Sequence, residues 1–166
     1  MTRYAIGLGS NLGDRLAHLR SAVAAVSDLG TDLVVSGLYE TEPVGGPIQG
    51  PYLNAVVTIE SDMSALDLLS ALYEIETDQG RVRRERWSER TLDLDIISSD
   101  GPPISQPTLV VPHPRASERR FVLQPLVDVW PSARVGNDLE ALQALALTDD
   151  QDVDMLTTHW AELRAP

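Results

Sequence analysis

The sequence predicts an α+β domain with a ferredoxin-like βαββαβ core, an antiparallel sheet and a C-terminal extension. Three observations carry that expectation. Residues 3–9, 33–39, 52–60 and 91–97 read as strands, while Leu16, Leu19, Val23 and Val26, and then Ala65, Leu68, Leu69 and Leu72, form helical stripes. Their order along the chain is strand, helix, strand, strand, helix, strand. A length of 166 residues without internal repeat or low-complexity segment suits one domain, with the core in about 1–135 and a helical extension in about 136–166.

Each element has its own signals. The first strand leads through Ser10-Asn11-Leu12-Gly13-Asp14 into a helix for which Asn11 is a good N-cap, Asp14 a favourable first-turn charge and Gly30 a natural stop. Glycines 7, 9 and 13 nearly spell a dinucleotide fingerprint, but Leu12 stands where its third glycine belongs, and the Rossmann reading is set aside. Leu33 to Tyr39 alternates weakly as a second strand. Three Pro and three Gly between Thr41 and Pro51 then break all regular structure, which marks either a lid or binding loop or a tolerated surface excursion.

Tyr52 to Glu60 forms the third strand. By the period of two, Tyr52 and Asn54 share a face, placing a flat ring beside an amide that both donates and accepts. The pair suits a heterocycle and equally suits an ordinary satisfied strand pair. Ser64 caps the second helix, with Asp67 in the reciprocal position. Glu76 falls on its apolar stripe four residues beyond Leu72, so it either finds a partner in the arginines beginning at Arg81 or lies at a solvated helix end. Leu109 to Val111 is a short strand before Pro112-His113-Pro114, whose prolines restrict the backbone around His113. A third helix from about Asp138 to Leu147 and an acidic segment from Asp149 to Asp154 follow, and no function attaches to residues 136–166.

The charge pattern centres on one stretch. Arg81 to Arg90 carries five of the 13 basic residues against two Glu, in a chain of net charge −12. Guanidinium forks concentrated on so acidic a chain suit a phosphate or carboxylate ligand. They run into Thr91-Leu92-Asp93-Leu94-Asp95-Ile96-Ile97, where Leu92, Leu94 and Ile96 take one face and Asp93 and Asp95 the other. Two adjacent carboxylates repel unless a cation lies between them or one is protonated. Alone, an Asp-x-Asp pair fits a solvated strand face better. The arginine run shifts the reading towards Mg²⁺ held between carboxylates and a polyphosphate.

Composition narrows the classes further. Without cysteine there are no disulfides or thiolate metal sites. All 13 basic residues are Arg, which removes a P-loop lysine and any Schiff-base lysine. The negative charge argues against a nucleic-acid partner. Neither a signal peptide nor a membrane span is visible, so a cytoplasmic monomer acting on small molecules is expected.

Arg86-Trp87-x-x-Arg90-Thr91-Leu92-Asp93-Leu94-Asp95-Ile96, preceded by Gly80-Arg81-Val82-Arg83, resembles the signature of the hydroxymethyl-dihydropterin pyrophosphokinases of folate biosynthesis. Gly9-Ser10-Asn11-Leu12-Gly13 is similar to that family's opening turn. The resemblance implies transfer of pyrophosphate from ATP to a pterin alcohol, with two Mg²⁺ on Asp93 and Asp95. It makes Arg81 and Arg90 catalytic, on the transferring phosphates. Glu76, Arg83, Trp87, Ile96, His113 and Arg119 become ATP contacts; Thr41, Pro43, Val44, Tyr52, Asn54 and Phe121 become pterin contacts. Ser88-Glu89 stands where the family commonly has Gly-Pro, the stretch between Arg83 and Arg86 is one residue shorter than in some relatives, and Glu42 replaces a small or apolar residue. These departures touch lid closure and leave the metal, phosphate and pterin positions intact. A non-catalytic nucleotide- or pterin-binding protein and a metal-dependent phosphohydrolase are the competing readings.

Overall fold

The computed structural model describes residues 1–43, 49–81, 90–136 and 138–161. Its organising element is β1 (Thr2–Ser10), which lies between two antiparallel partners, β4 (Tyr52–Ser61) and β5 (Asp93–Ser99). Alternation decides what each face does. Tyr4, Ile6 and Leu8 pack with Leu53, Ala55, Val57 and Ile59 and with Leu92, Leu94 and Ile96 in one core. That core is closed by α1 (Arg15–Ser27), through Leu19, Val23 and Val26, and by α2 (Ala65–Asp78), through Leu68, Leu69 and Leu72.

On the opposite face, Ala5, Val56 and Ile97 pack under α3 (Arg120–Val129), through Leu123 and Leu126. The helix covers only part of this face. Beyond it the same face of the three strands continues as Gly7 and Gly9, Asn54, and Asp93 with Asp95. The register sets Gly9 directly between Asn54 on one side and Asp93 on the other.

Two short strands, β2 (Thr31–Val35) and β3 (Leu38–Thr41), pair one after the other with β4. Between them, Ser36 exchanges hydrogen bonds with Val56: its amide donates to the Val56 carbonyl and its hydroxyl accepts from the Val56 amide, both at 2.9 Å. The remaining strands are the hairpin β6 (Ile104–Gln106) and β7 (Leu109–Val111), the pair β8 (Arg134–Val135) and β9 (Leu139–Glu140), and β10 (Asp154–Thr157), which joins the main sheet beside β3.

Several local expectations need correction. Asp14, not Asn11, is the N-cap of α1, its carboxylate accepting from the Ala17 amide at 3.0 Å. Asn11 is otherwise engaged. The C-terminal helix is α4 (Ala141–Ala146), shorter than expected, and the acidic segment after it ends in a strand of the main sheet, so the described residues past 136 are not simply helical. Helix α3 was not anticipated. Pro125 inside it and the arginines at its start hid an apolar repeat on Leu123, Leu126 and Val129.

Candidate active site

Strand β5 supplies the acidic pair. With Leu92 and Leu94 drawn into the core, Asp93 and Asp95 point to the other face and line a cleft. Burial pushes the Asp95 carboxyl up to about 7, the Asp93 and Glu76 carboxylates push the same way, and Arg90 and Arg81 oppose them. Asp93 is held by both arginines at once. Arg81 Nη1 donates to Oδ1 at 2.8 Å and Arg90 Nη1 to Oδ2 at 2.7 Å.

Glu76 explains why Arg81 sits there. It is 2 % exposed, near the end of α2, and its Oε1 accepts from the Leu94 amide at 2.7 Å and pairs with Arg81 Nη1. Of its two sequence readings, the partnered one is what the structure contains. A carboxylate tied to β5 and Arg81 inside the fold holds that arginine beside Asp93. The Ile96 side chain is buried with the α1 and α2 core, on the far side of the sheet from the cleft, which leaves its backbone as the part that can face a nucleotide.

The opposite wall of the cleft carries His113, Arg119 and Phe121. Burial, with the Arg119 and Arg115 cations, holds the His113 imidazole below its usual value, so it favours the neutral ring at pH 7. Its amide donates to the Ile97 carbonyl at 2.9 Å, tying the Pro-His-Pro turn to β5. Arg119 is also lowered, by burial and then by Arg115, and its guanidinium lies 5.7 Å from the centre of the Phe121 ring. For Arg90, burial works against the cation, but Asp93, with Tyr52 and Asp95, together outweigh it and the pKa is raised.

Asn54 reaches the cleft with its orientation fixed. Its Nδ2 donates to Thr41 Oγ1 at 2.8 Å, so Oδ1 turns towards Gly9. A Cβ on Gly9 would stand 3.4 Å from that oxygen, 3.9 Å from the Tyr52 ring and 4.0 Å from the Asp93 Cβ. Glycine here keeps the floor flat between the acidic pair and the amide. Tyr52 thus comes close to Gly9 beside Asn54, and Phe121 lines the same cleft as Asn54. Thr41 is buried beside Asn54 and also lines a wider cavity of about 420 Å³, which Phe121 borders and Pro43 helps to line.

Of the anticipated site residues, Asp93, Asp95, Asn54, His113, Arg119 and Phe121 therefore meet in one cleft, with Arg81 and Arg90 fastened to it through Asp93. Arg83, Trp87 and Val44 lie outside the described residues. Sequence reasoning assigned no role in the site to Gly9 or Asn11. The strand register would have exposed Gly9, since a residue paired with both Asn54 and Asp93 must lie between them.

Among the described residues no three His, Cys, Asp or Glu side chains form a ready metal cluster. Asp93 and Asp95 alone leave most positions around a cation to water or phosphate oxygens, as suits Mg²⁺ with a nucleotide. No helix among the described residues is long and apolar enough to cross a membrane.

The chain is similar to known proteins in sequence and in fold. The 7,8-dihydro-6-hydroxymethylpterin-pyrophosphokinase family model matches residues 5–131. The 2-amino-4-hydroxy-6-hydroxymethyldihydropteridine pyrophosphokinase of Bacillus subtilis is 44% identical over 126 residues, 75% of each chain. That of Methylorubrum extorquens is 38% identical over 156 residues, covering 93% of this chain and 98% of its own. Among solved structures, a Plasmodium falciparum HPPK-DHPS shares the fold with a TM-score of 0.70 at 14% identity, over 88% of this chain. This chain spans 43% of that longer protein. With the acidic pair, its arginines and the amide-and-ring wall in one cleft, the chain belongs to the 7,8-dihydro-6-hydroxymethylpterin-pyrophosphokinase family.

Proposed function

We propose that this chain catalyses Mg²⁺-dependent transfer of pyrophosphate from ATP to 6-hydroxymethyl-7,8-dihydropterin, giving AMP and the pterin diphosphate. The carrying observation is the convergence of Asp93 and Asp95, with Arg81 and Arg90, on a cleft whose remaining walls offer Asn54 and Phe121. In the reaction the pterin hydroxymethyl oxygen bonds to the β-phosphorus of ATP, the bond from that phosphorus to the α-phosphate bridging oxygen breaks, and AMP leaves.

Asp93 and Asp95 are the residues that would hold the metal, and, beyond burial, the Asp93 and Glu76 carboxylates that push the Asp95 pKa up mark a site of concentrated negative charge suited to a cation. When bound, two Mg²⁺ ions would neutralise the charge of the phosphates. Arg81 and Arg90 exchange Asp93 for phosphate oxygens as nucleotide arrives, and there meet the charge that develops on the transferred group. His113 and Arg119 receive the nucleotide from the far wall. Tyr52 and Phe121 stack on the two faces of the pterin while Asn54, oriented by Thr41, reads its hydrogen-bonding edge. The alcohol is a weak nucleophile, and holding it in line within a closed site supplies much of the acceleration.

The all-antiparallel order β3-β4-β1-β5, with α1 and α2 on one face, supports reading residues up to about 135 as a ferredoxin-like βαββαβ core within a single domain. We take the enzyme to work as a cytoplasmic monomer on small molecules; the net charge of −12 disfavours nucleic acid as a partner. The test is AMP formation from ATP with and without the pterin alcohol. Strict dependence on pterin is expected. ATP breakdown without pterin would indicate a phosphohydrolase, and binding of both ligands without turnover a non-catalytic protein.

A further inference from the structure

We infer that Asn11 is a positioning residue for the transfer, acting through Arg90 and linking it to the segment that leads into β4. The inference rests on reading the site as a pyrophosphokinase site. Arg90 precedes β5, and its half-buried amide and carbonyl find their partners outside the strand ladder. Asn11 supplies both. Its amide donates to the Arg90 carbonyl at 3.1 Å, and its Oδ1 accepts from the Arg90 amide at 2.9 Å. Residue 11 thereby continues the β1–β5 pairing past the last strand pair, Gly9 with Asp93, out to the residue whose guanidinium rests on Asp93.

The other half of the same side chain faces elsewhere. Asn11 Nδ2 donates to Gln49 Oε1 at 2.8 Å, and just beyond, the Pro51 carbonyl accepts from Arg15 Nη1 at 2.8 Å. The turn after β1 thus grips the segment that delivers Tyr52 and Asn54. Asn11 is only 6 % exposed, and its amide oxygen and nitrogen are spent on Arg90 and Gln49. This double use is why α1 takes its cap from Asp14. A single amide therefore ties the origin of a phosphate arginine to the approach of the pterin-facing strand. Displacing that origin by about an ångström would matter most in the transition state, where in-line geometry is most demanding.

The test is a double-mutant cycle between Asn11→Leu and Arg90→Ala, read as the single-turnover rate of pterin-dependent AMP formation. In the native background Asn11→Leu should slow transfer about 10- to 100-fold with Mg²⁺-ATP affinity changed by less than about threefold. In the Arg90→Ala background the same change should cost little more. Asn11→Asp keeps an acceptor for the Arg90 amide, and Gln49 can turn its own NH₂ towards the new carboxylate, so it should hold transfer within about threefold of native. Equal costs of Asn11→Leu in both backgrounds would overturn the inference, leaving a merely structural turn. So would a loss in Asn11→Asp as large as in Asn11→Leu, and this arm stands if the leucine variant fails to fold. Pterin-dependent turnover by the unaltered chain is measured first, so failure of the activity itself is distinguished from failure of the role given to Asn11.

Discussion

Burial and the neighbouring carboxylates of Asp93 and Glu76 push Asp95 to about 7, above its ordinary 3.8. A carboxyl raised in the folded state contributes stability that is whole below about pH 4 and lost as pH rises through about 7. The metal-free protein is therefore expected to lose stability as pH rises from about 4 to about 8 through this group, and Mg²⁺ affinity to fall below pH 7 as Asp95 takes up a proton. Asp95→Asn should abolish turnover yet raise the metal-free melting temperature at pH 8 by a few degrees, the size expected for about 1 kcal/mol in a chain this long. Thermal scans at both pH values check it; an active Asp95→Asn protein with an unchanged pH profile would remove the metal role. Arg90 is a complementary case. Its guanidinium rests on Asp93 before nucleotide arrives, so Arg90→Ala should slow single turnover roughly 100-fold while weakening ATP binding much less. Equal losses would make it a residue of ground-state binding.

At the scale of elements, the site is made by one sheet face that α3 leaves partly bare. β1 gives the glycine floor, β4 the amide, β5 the acidic pair and α3 the Phe121 ring. Phe121→Ala is expected to weaken pterin binding about tenfold with Mg²⁺-ATP affinity little changed, since one of two stacking rings is lost. Asn54→Ala should instead reduce the preference for pterin over an unrelated flat heterocycle. Calorimetry of both variants with both ligands separates the two roles. Much of this face was legible beforehand because strand alternation assigns sides: Leu92, Leu94 and Ile96 to the core forced Asp93 and Asp95 to the cleft. The same rule sends the Ile96 side chain to the core. What escaped were features set by tertiary competition. Asn11 and Asp14 are equally good caps in isolation, and only the approach of Arg90 decides between them. Helix α3 carries a proline that local propensity counts against it, yet packing against Val56 and Ile97 outweighs that cost.

Across the whole molecule, the last described residues are bound into the sheet that carries the site. β10 pairs with β3, the strand whose Thr41 orients Asn54. Trp160 follows, 2 % exposed in the α1 and α2 core, where its indole Nε1 donates to the Ser36 carbonyl at 2.8 Å and its carbonyl accepts from Arg20 Nε at 2.6 Å. The acidic run before it gave no sign of this in the sequence, because a single tryptophan has no period and its partners lie more than 100 residues away. Ser36 occupies the break between β2 and β3, so the indole partners a carbonyl at that break. Trp160→Ala should therefore destabilise the protein by about 3–5 kcal/mol, the cost of removing a large buried aromatic side chain. Trp160→Phe keeps most of the volume and forfeits the hydrogen bond, leaving the Ser36 carbonyl unpaired, and should cost about 1–3 kcal/mol. Urea unfolding of both variants measures this. Turnover per folded molecule should stay near that of the unaltered chain in Trp160→Phe, because the indole touches neither the acidic pair nor the pterin wall. A Trp160→Ala protein as stable as the parent would mean that the C-terminal segment merely decorates the sheet instead of completing it.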